Sequence, residues 1–139
     1  MLRITIPISP EGWDEKRQMF VEPKFQTLQL EHSLVSLSKW ESKYCKPFIS
    51  TKDKTLEESL DYIRFMTLTQ NVNPEVYEHI NNDHLKTINA YIDAPMTATT
   101  FSNLDRNNRN REVITSELIY YWMIALNIPI EICQKWHLN

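Results

Sequence analysis

Apolar and polar positions divide the chain into an alternating opening, a run of amphipathic segments and a C-terminal stretch that is apolar on every side. Leu2, Arg3, Ile4, Thr5 and Ile6 alternate and favour extended backbone, which predicts a strand ended by Pro7. Pro10, Glu11, Gly12 and Asp14 carry turn chemistry. Gln18 to Val21 predict a short second strand that pairs back on the first as a hairpin with a long connection. Pro23 interrupts, and Phe25, Gln26, Thr27 and Leu28 form a third extended piece or the approach to a helix.

From Glu31 to Tyr44 the period becomes helical. Leu30, Leu34, Leu37, Trp40 and Tyr44 share one face, with Ser33, Lys39 and Ser42 opposite. Pro47 ends this helix by disfavouring helical backbone at Lys46, and Ser50 to Lys54 make a polar connector. Thr55-Leu56-Glu57-Glu58 has the form of a capping box, in which hydroxyl and carboxylate serve each other's backbone donors. The helix it opens is predicted to bury Leu56, Leu60 and Ile63, with Tyr62, Phe65 and Met66. Asn73 and Pro74 supply an N-cap and a first helical residue for a short helix through Val76, Tyr77 and Ile80. Asn81, Asn82 and Asp83 break and recap it, and Leu85, Ile88 and Ile92 align on the next helix until Pro95. Thr97 to Phe101 and Arg111 to Ile114 flank a polar loop and predict a second hairpin.

The remaining stretch organises the others. Thr115 or Ser116 can cap a helix, with Glu117 near the positive end of its dipole. Leu118, Tyr121, Trp122 and Ala125 form one apolar stripe, and Ile119, Met123 and Leu126 a second. No charge occurs between Leu118 and Leu126, and the segment is far short of the ~20 residues that span a bilayer. Asn127 and Pro129 restart the backbone before a last helix carrying Ile130, Ile132, Cys133, Trp136 and Leu138. Two readings are open: a central core helix with a packed C-terminal helix, or a surface intended for a partner protein.

Composition narrows the function. At 139 residues, 42% hydrophobic and 24% charged, the chain is one globular domain by size. A net charge of −3 gives no electrostatic reason to expect nucleic acid. Gly12 is the single glycine, which argues against phosphate-cradling loops and dinucleotide folds, and so against kinases and P-loop ATPases. No segment reaches membrane-spanning length or has a signal peptide's apolar core, and Cys45 and Cys133 make no disulfide framework, so a reducing cytoplasm is expected.

Candidate chemistry is sparse. Cys133 and His137, four apart on the predicted last helix, could be two metal ligands, but His32, His79, His84 and Cys45 offer no paired spacing to complete a site. Glu57, Glu58 and Asp61 open a helix, where they favour the dipole and are expected to face solvent rather than to act as acid and base. Arg106, Arg109 and Arg111 lie in an isolated polar loop without interleaved aromatics. No catalytic residue, metal or cofactor is therefore predicted.

Four groups of residues carry a resemblance. They are Phe25-Gln26-Thr27-Leu28-Gln29-Leu30-Glu31-His32-Ser33-Leu34 with Leu37-Ser38-Lys39-Trp40-Glu41-Ser42, then Met66-Thr67-Leu68-Thr69-Gln70-Asn71-Val72, then Tyr91-Ile92-Asp93-Ala94-Pro95-Met96-Thr97-Ala98, and last Tyr120-Tyr121-Trp122-Met123-Ile124-Ala125-Leu126-Asn127-Ile128-Pro129 with Gln134-Lys135-Trp136-His137-Leu138-Asn139. They are spread from Phe25 to Asn139, so the likeness spans most of the chain, and together they resemble a family of small proteins from tailed bacteriophages, commonly labelled tail assembly chaperones or tail proteins. The resemblance implies a protein of the infected host's cytoplasm that engages the long helical tape measure protein and helps tail tube protein assemble on it. A tape measure exposes apolar stripes before the tube encloses it, and an apolar, aromatic helical surface could cover them reversibly.

The candidate partner-binding residues are Tyr121, Trp122, Ile130, Trp136 and Leu138, supported by Trp40. Each has a place in the core as its alternative, and for Trp122 the core is preferred. The expected fold is mainly α (α+β) in a single domain, 1–139. A β-rich segment, 1–28, precedes a helical body, 30–139, giving about five helices and one or two short antiparallel hairpins, one N-terminal and one near 97–114. The expected function is a non-enzymatic assembly factor, possible as a homo-oligomer. The rivals are a structural tail or connector component, and a small regulator or enzyme.

Overall fold

The computed structural model describes residues 1–9, 12–14, 19–96 and 113–138. The fold is mixed α+β and mainly helical. Four strands, β1 (Leu2–Ser9), β2 (Gly12–Asp14), β3 (Met19–Val21) and β4 (Lys24–Leu30), precede the helices. These are α1 (Leu34–Tyr44), α2 (Leu56–Met66), a 3-10 helix (Pro74–His79), α3 (Asn82–Asp93), α4 (Ser116–Ala125) and α5 (Ile130–Cys133).

The opening alternation produces an antiparallel ribbon, but with a different partner from the one its sequence suggests. β1 pairs with β4, from Leu2↔Leu30 to Pro7↔Phe25, and β3 pairs with β2 instead. The register shifts between Pro7 and Ser9, where Ser9 meets Lys24. Gly12 meets Val21 three residues further along both strands, so β2 and β3 keep the shifted register. Pro7 does not end the strand. Among the described strands β1 pairs with β4 alone, and a strand paired on one side tolerates a residue without an N–H. Ile4, Ile6, Leu28 and Leu30 are buried on the inner face, while Thr5 and Thr27 meet hydroxyl to hydroxyl on the outer one at 3.0 Å.

β4 is held on its other side by the chain leaving α2, through Glu31 N–H to Met66 O (2.9 Å) and Leu68 N–H to Gln29 O (2.8 Å). Leu30 therefore belongs to a strand, and α1 begins only at Leu34. Ser33 is its buried N-cap rather than a residue of its polar face. The core lies between the ribbon and α1, α2 and α3, with Leu34, Leu37, Trp40, Tyr62, Ile63, Met66, Val76 and Ile88 at its centre. Each such side chain contributes about 1.5–3 kcal/mol by leaving water.

The capping box at Thr55 is present, with Glu58 N–H to Thr55 Oγ1 at 3.1 Å and Thr55 N–H to Glu58 Oε2 at 2.8 Å. Two expectations for this helix fail. Leu56 sits at the first turn, beyond the reach of the core, and is exposed. Glu58 and Asp61 do not face solvent: both are buried against cations of α1 and its exit. Lys46 Nζ meets Glu58 Oε1 at 2.8 Å, while Asp61 is bound by Lys43, by Tyr44 O–H at 2.6 Å and by Arg64 at 3.0 Å. Burial pushes the Asp61 carboxyl up, but these donors outweigh it and hold it below its ordinary value.

The hairpin near 97–114 falls largely on residues 97–112, outside the described ones. The expected last helix is much shorter: α5 ends at Cys133, and His137 lies in an isolated bridge with Ser33. Cys133 and His137 therefore do not share a helix face.

Candidate protein-binding surface

α4 is fastened at its start and left open along its length. Thr115 caps it, its Oγ1 accepting from Leu118 N–H at 3.3 Å. Glu41 of α1 accepts from Ser116 N–H at 2.7 Å and Ser116 Oγ–H at 2.5 Å, while its other oxygen accepts from Phe48 N–H at 2.9 Å. A carboxylate at a helix N-terminus meets free backbone donors and the positive end of the dipole. Ser116 is accordingly the buried residue of α4.

The other end closes in a Schellman motif. Asn127 takes left-handed backbone at φ 55°, its N–H reaching Ile124 O at 3.0 Å, and Ile128 N–H reaches Met123 O at 2.9 Å. In a chain with one glycine, asparagine serves here because it tolerates that conformation. Pro129 then starts α5, and Cys133 is buried beneath it. The chain returns to the core as a strap: Val35 N–H donates to Gln134 O, and Leu138 N–H to His32 O, each at 3.1 Å.

A polar cluster seats this strap. Glu31 Oε1 accepts from Tyr91 O–H at 2.9 Å and lies 2.7 Å from His137 Nδ1, and Met1's amino group meets Oε2 at 3.0 Å. Burial raises the Glu31 carboxyl, but its bonds to His137, the amino group and Tyr91 outweigh that and hold it below its usual value. His32 is buried beside His137. Burial first, then His137's charge, lowers it to about 4, so its ring is neutral at pH 7 and Nδ1 can accept from Tyr62 O–H. Burial raises the Tyr62 and Tyr91 phenols, which keeps both as donors.

Between these two fastenings the apolar surface is uncovered. Tyr121 is 66% exposed, Leu126 67%, Trp136 49% and Trp122 39%, and Ile124, Ile130 and Ile132 are exposed beside them. Of the stripe of Leu118, Tyr121, Trp122 and Ala125, the last three turn outward and Leu118 is half-buried. Ile119 and Tyr120 pack toward the core instead. The sequence-derived candidates thus separate. Tyr121, Trp122, Ile130 and Trp136 lie on the open surface, and Leu138 is half-buried against the core. The preferred core placement of Trp122 does not hold, since its side chain is exposed.

Trp40 leaves the set. It is fully buried, its ring 4.9 Å from Tyr44 and 5.0 Å from Phe48, and its Nε1–H donates to Glu58 O at 2.9 Å. Ile124, Leu126 and Ile132 were not among the candidates. The signal for the first two was the charge-free run they belong to.

Among the described residues no group of three or more His, Cys, Asp or Glu is arranged to hold a metal ion, and no helix is long and apolar enough to cross a membrane. No family model, curated protein or solved structure matches this chain.

Proposed function

We propose that this protein is an assembly factor that works by contact, holding an apolar helical polypeptide on the exposed surface of α4 and α5. The observation that carries the reading is the concentration of uncovered large side chains in one segment: Tyr121, Trp122, Ile124, Leu126, Ile130, Ile132 and Trp136 are all exposed within a short stretch of chain. Ordinary soluble surfaces scatter such residues singly, and a contiguous group marks a binding face. Tyr and Trp supply large rigid contact area, the composition of binding hot spots. The family resemblance supports the tape measure protein of a tailed phage as that polypeptide, held until tail tube protein encloses it. Reversible cover of an apolar stripe takes no bond-making step, so the role is non-enzymatic.

Co-expression with a cognate tape measure protein tests this. The wild-type chain is expected to co-purify with it. The triple variant Tyr121→Ser, Ile132→Ser, Trp136→Ser should lose at least tenfold in yield of complex while keeping its circular dichroism and melting transition. Undiminished co-purification of a folded triple variant would overturn the assignment of the face. Stoichiometric copies in finished virions would instead make the protein a structural tail component.

A further inference from the structure

A cleft between α2, α3 and the connector ahead of α2, lined by no residue of α4 or α5, has a chemistry the docking face does not share. Its volume is about 320 Å³, within the roughly 300–1,000 Å³ range of small-molecule sites. Phe48, Ile63, Leu85, Ile88 and Ile92 give it apolar walls, and Phe48 stacks on Tyr62 at 3.9 Å. Its polar groups are few: the Lys54 ammonium, the Ser59 hydroxyl and the Asn89 amide, besides the Tyr62 phenol.

Lys54 decides the ligand class. Its Nζ lies 4.1 Å from the Phe48 ring centroid and donates to Thr51 O at 2.5 Å. Among the described residues no carboxylate is within ion-pair distance of it. Glu58, four residues on, already has Lys46 at one oxygen and the Thr55 N–H at the other. Asp93 lines the adjoining cleft together with Lys54, and it and Glu58 favour the charged amine from beyond contact, but by less than burial opposes it. Burial lowers the Lys54 amine from its ordinary value, the mark of a cation set among apolar groups without full compensation. A half-buried cation facing apolar walls is matched by a molecule with one anionic end and an apolar body.

We propose that this cleft binds a small amphipathic carboxylate, its acid group on Lys54 and Asn89 and its apolar body along Phe48, Ile88 and Ile92. The site is independent of α4 and α5, so the protein can carry a small ligand and a polypeptide at once.

The test is a nuclear magnetic resonance titration of the full chain at pH 7 with octanoate, octylammonium and octan-1-ol. Octanoate is expected to shift the Phe48, Ser59 and Asn89 amides at submillimolar to millimolar concentration, with octylammonium at least tenfold weaker. Lys54→Met should weaken octanoate at least tenfold, and Lys54→Arg should retain most of the binding. Leu85→Trp, which fills the cleft from α3 and leaves Lys54 in place, should abolish it. Equal binding of the three probes, unchanged affinity in Lys54→Met, no shifts at all, or shifts confined to residues 116–136 would each overturn the proposal.

Discussion

α1 and α4 are helices of similar length that end in opposite circumstances. α1 carries Leu34, Leu37 and Trp40 on one face and Lys39, Ser42 and Lys43 on the other, so only one orientation buries grease and hydrates charge. α4 has no polar face between Leu118 and Leu126. Whichever way it turns, it buries one stripe and exposes another. The fold resolves this with polar fastenings at its start and at the strap beyond α5, Glu41 on Ser116 and His32 O on Leu138 N–H, leaving Tyr121 and Trp122 in water. Amphipathicity tells a helix where to sit, whereas uniform apolarity marks a helix as unfinished until something covers it.

Substitutions on the two sides should break this contrast apart. The largest effect belongs to the interior: Trp40→Ala removes a fully buried indole and its hydrogen bond to Glu58 O. Urea denaturation should show a loss of about 3–5 kcal/mol. Acid should act next, at the junction where the strap meets the core. His32 is held neutral, its pKa lowered to about 4 from 6.5. In the unfolded chain it takes up a proton first, so its contribution is complete above about pH 6.5 and lost as pH falls toward 4. The loss is about 3 kcal/mol between pH 7 and pH 4, read from denaturation at several pH values. Glu31, below its ordinary carboxyl value, adds a further loss below about pH 4.5. His32→Leu should flatten the profile between pH 7 and 4 even where it lowers stability throughout. The smallest effect belongs to the open face, where Tyr121→Ser should change stability by no more than about 0.5 kcal/mol in the same urea assay. A loss above about 2 kcal/mol there would mean that α4 is core.

Local features were legible in the sequence because their causes are local. The capping residues Thr55, Asn73, Asn81 and Thr115 bond backbone within a few positions of themselves, and all four are seen to do so. The ribbon was legible as strands but not as a pairing. Leu28 and Leu30 lead directly into Leu34 and Leu37, and apolar residues at that spacing fit the end of a strand or the start of a helix. Pairing of β1 with β4 also depends on residues far apart in the chain. Glu58 and Asp61 read as solvated because their partners, Lys46 and Lys43, belong to the end of the preceding helix. Glu41, which holds α4 from 75 positions away, was invisible for the same reason. The exposed apolar face was legible in outline from the missing charges. Trp40 was misassigned to it because residue type alone does not distinguish a core indole from an anchor. The periodicity of α1 does.

Hydrogen exchange by mass spectrometry, on the protein alone and with an excess of a helical tape measure fragment, tests the central claim most directly. The account predicts new protection concentrated on the backbone of α4 and α5, with the amides of α1, already slow, unchanged. Protection appearing on the ribbon or on α2 and α3 while α4 and α5 exchange as before would contradict it.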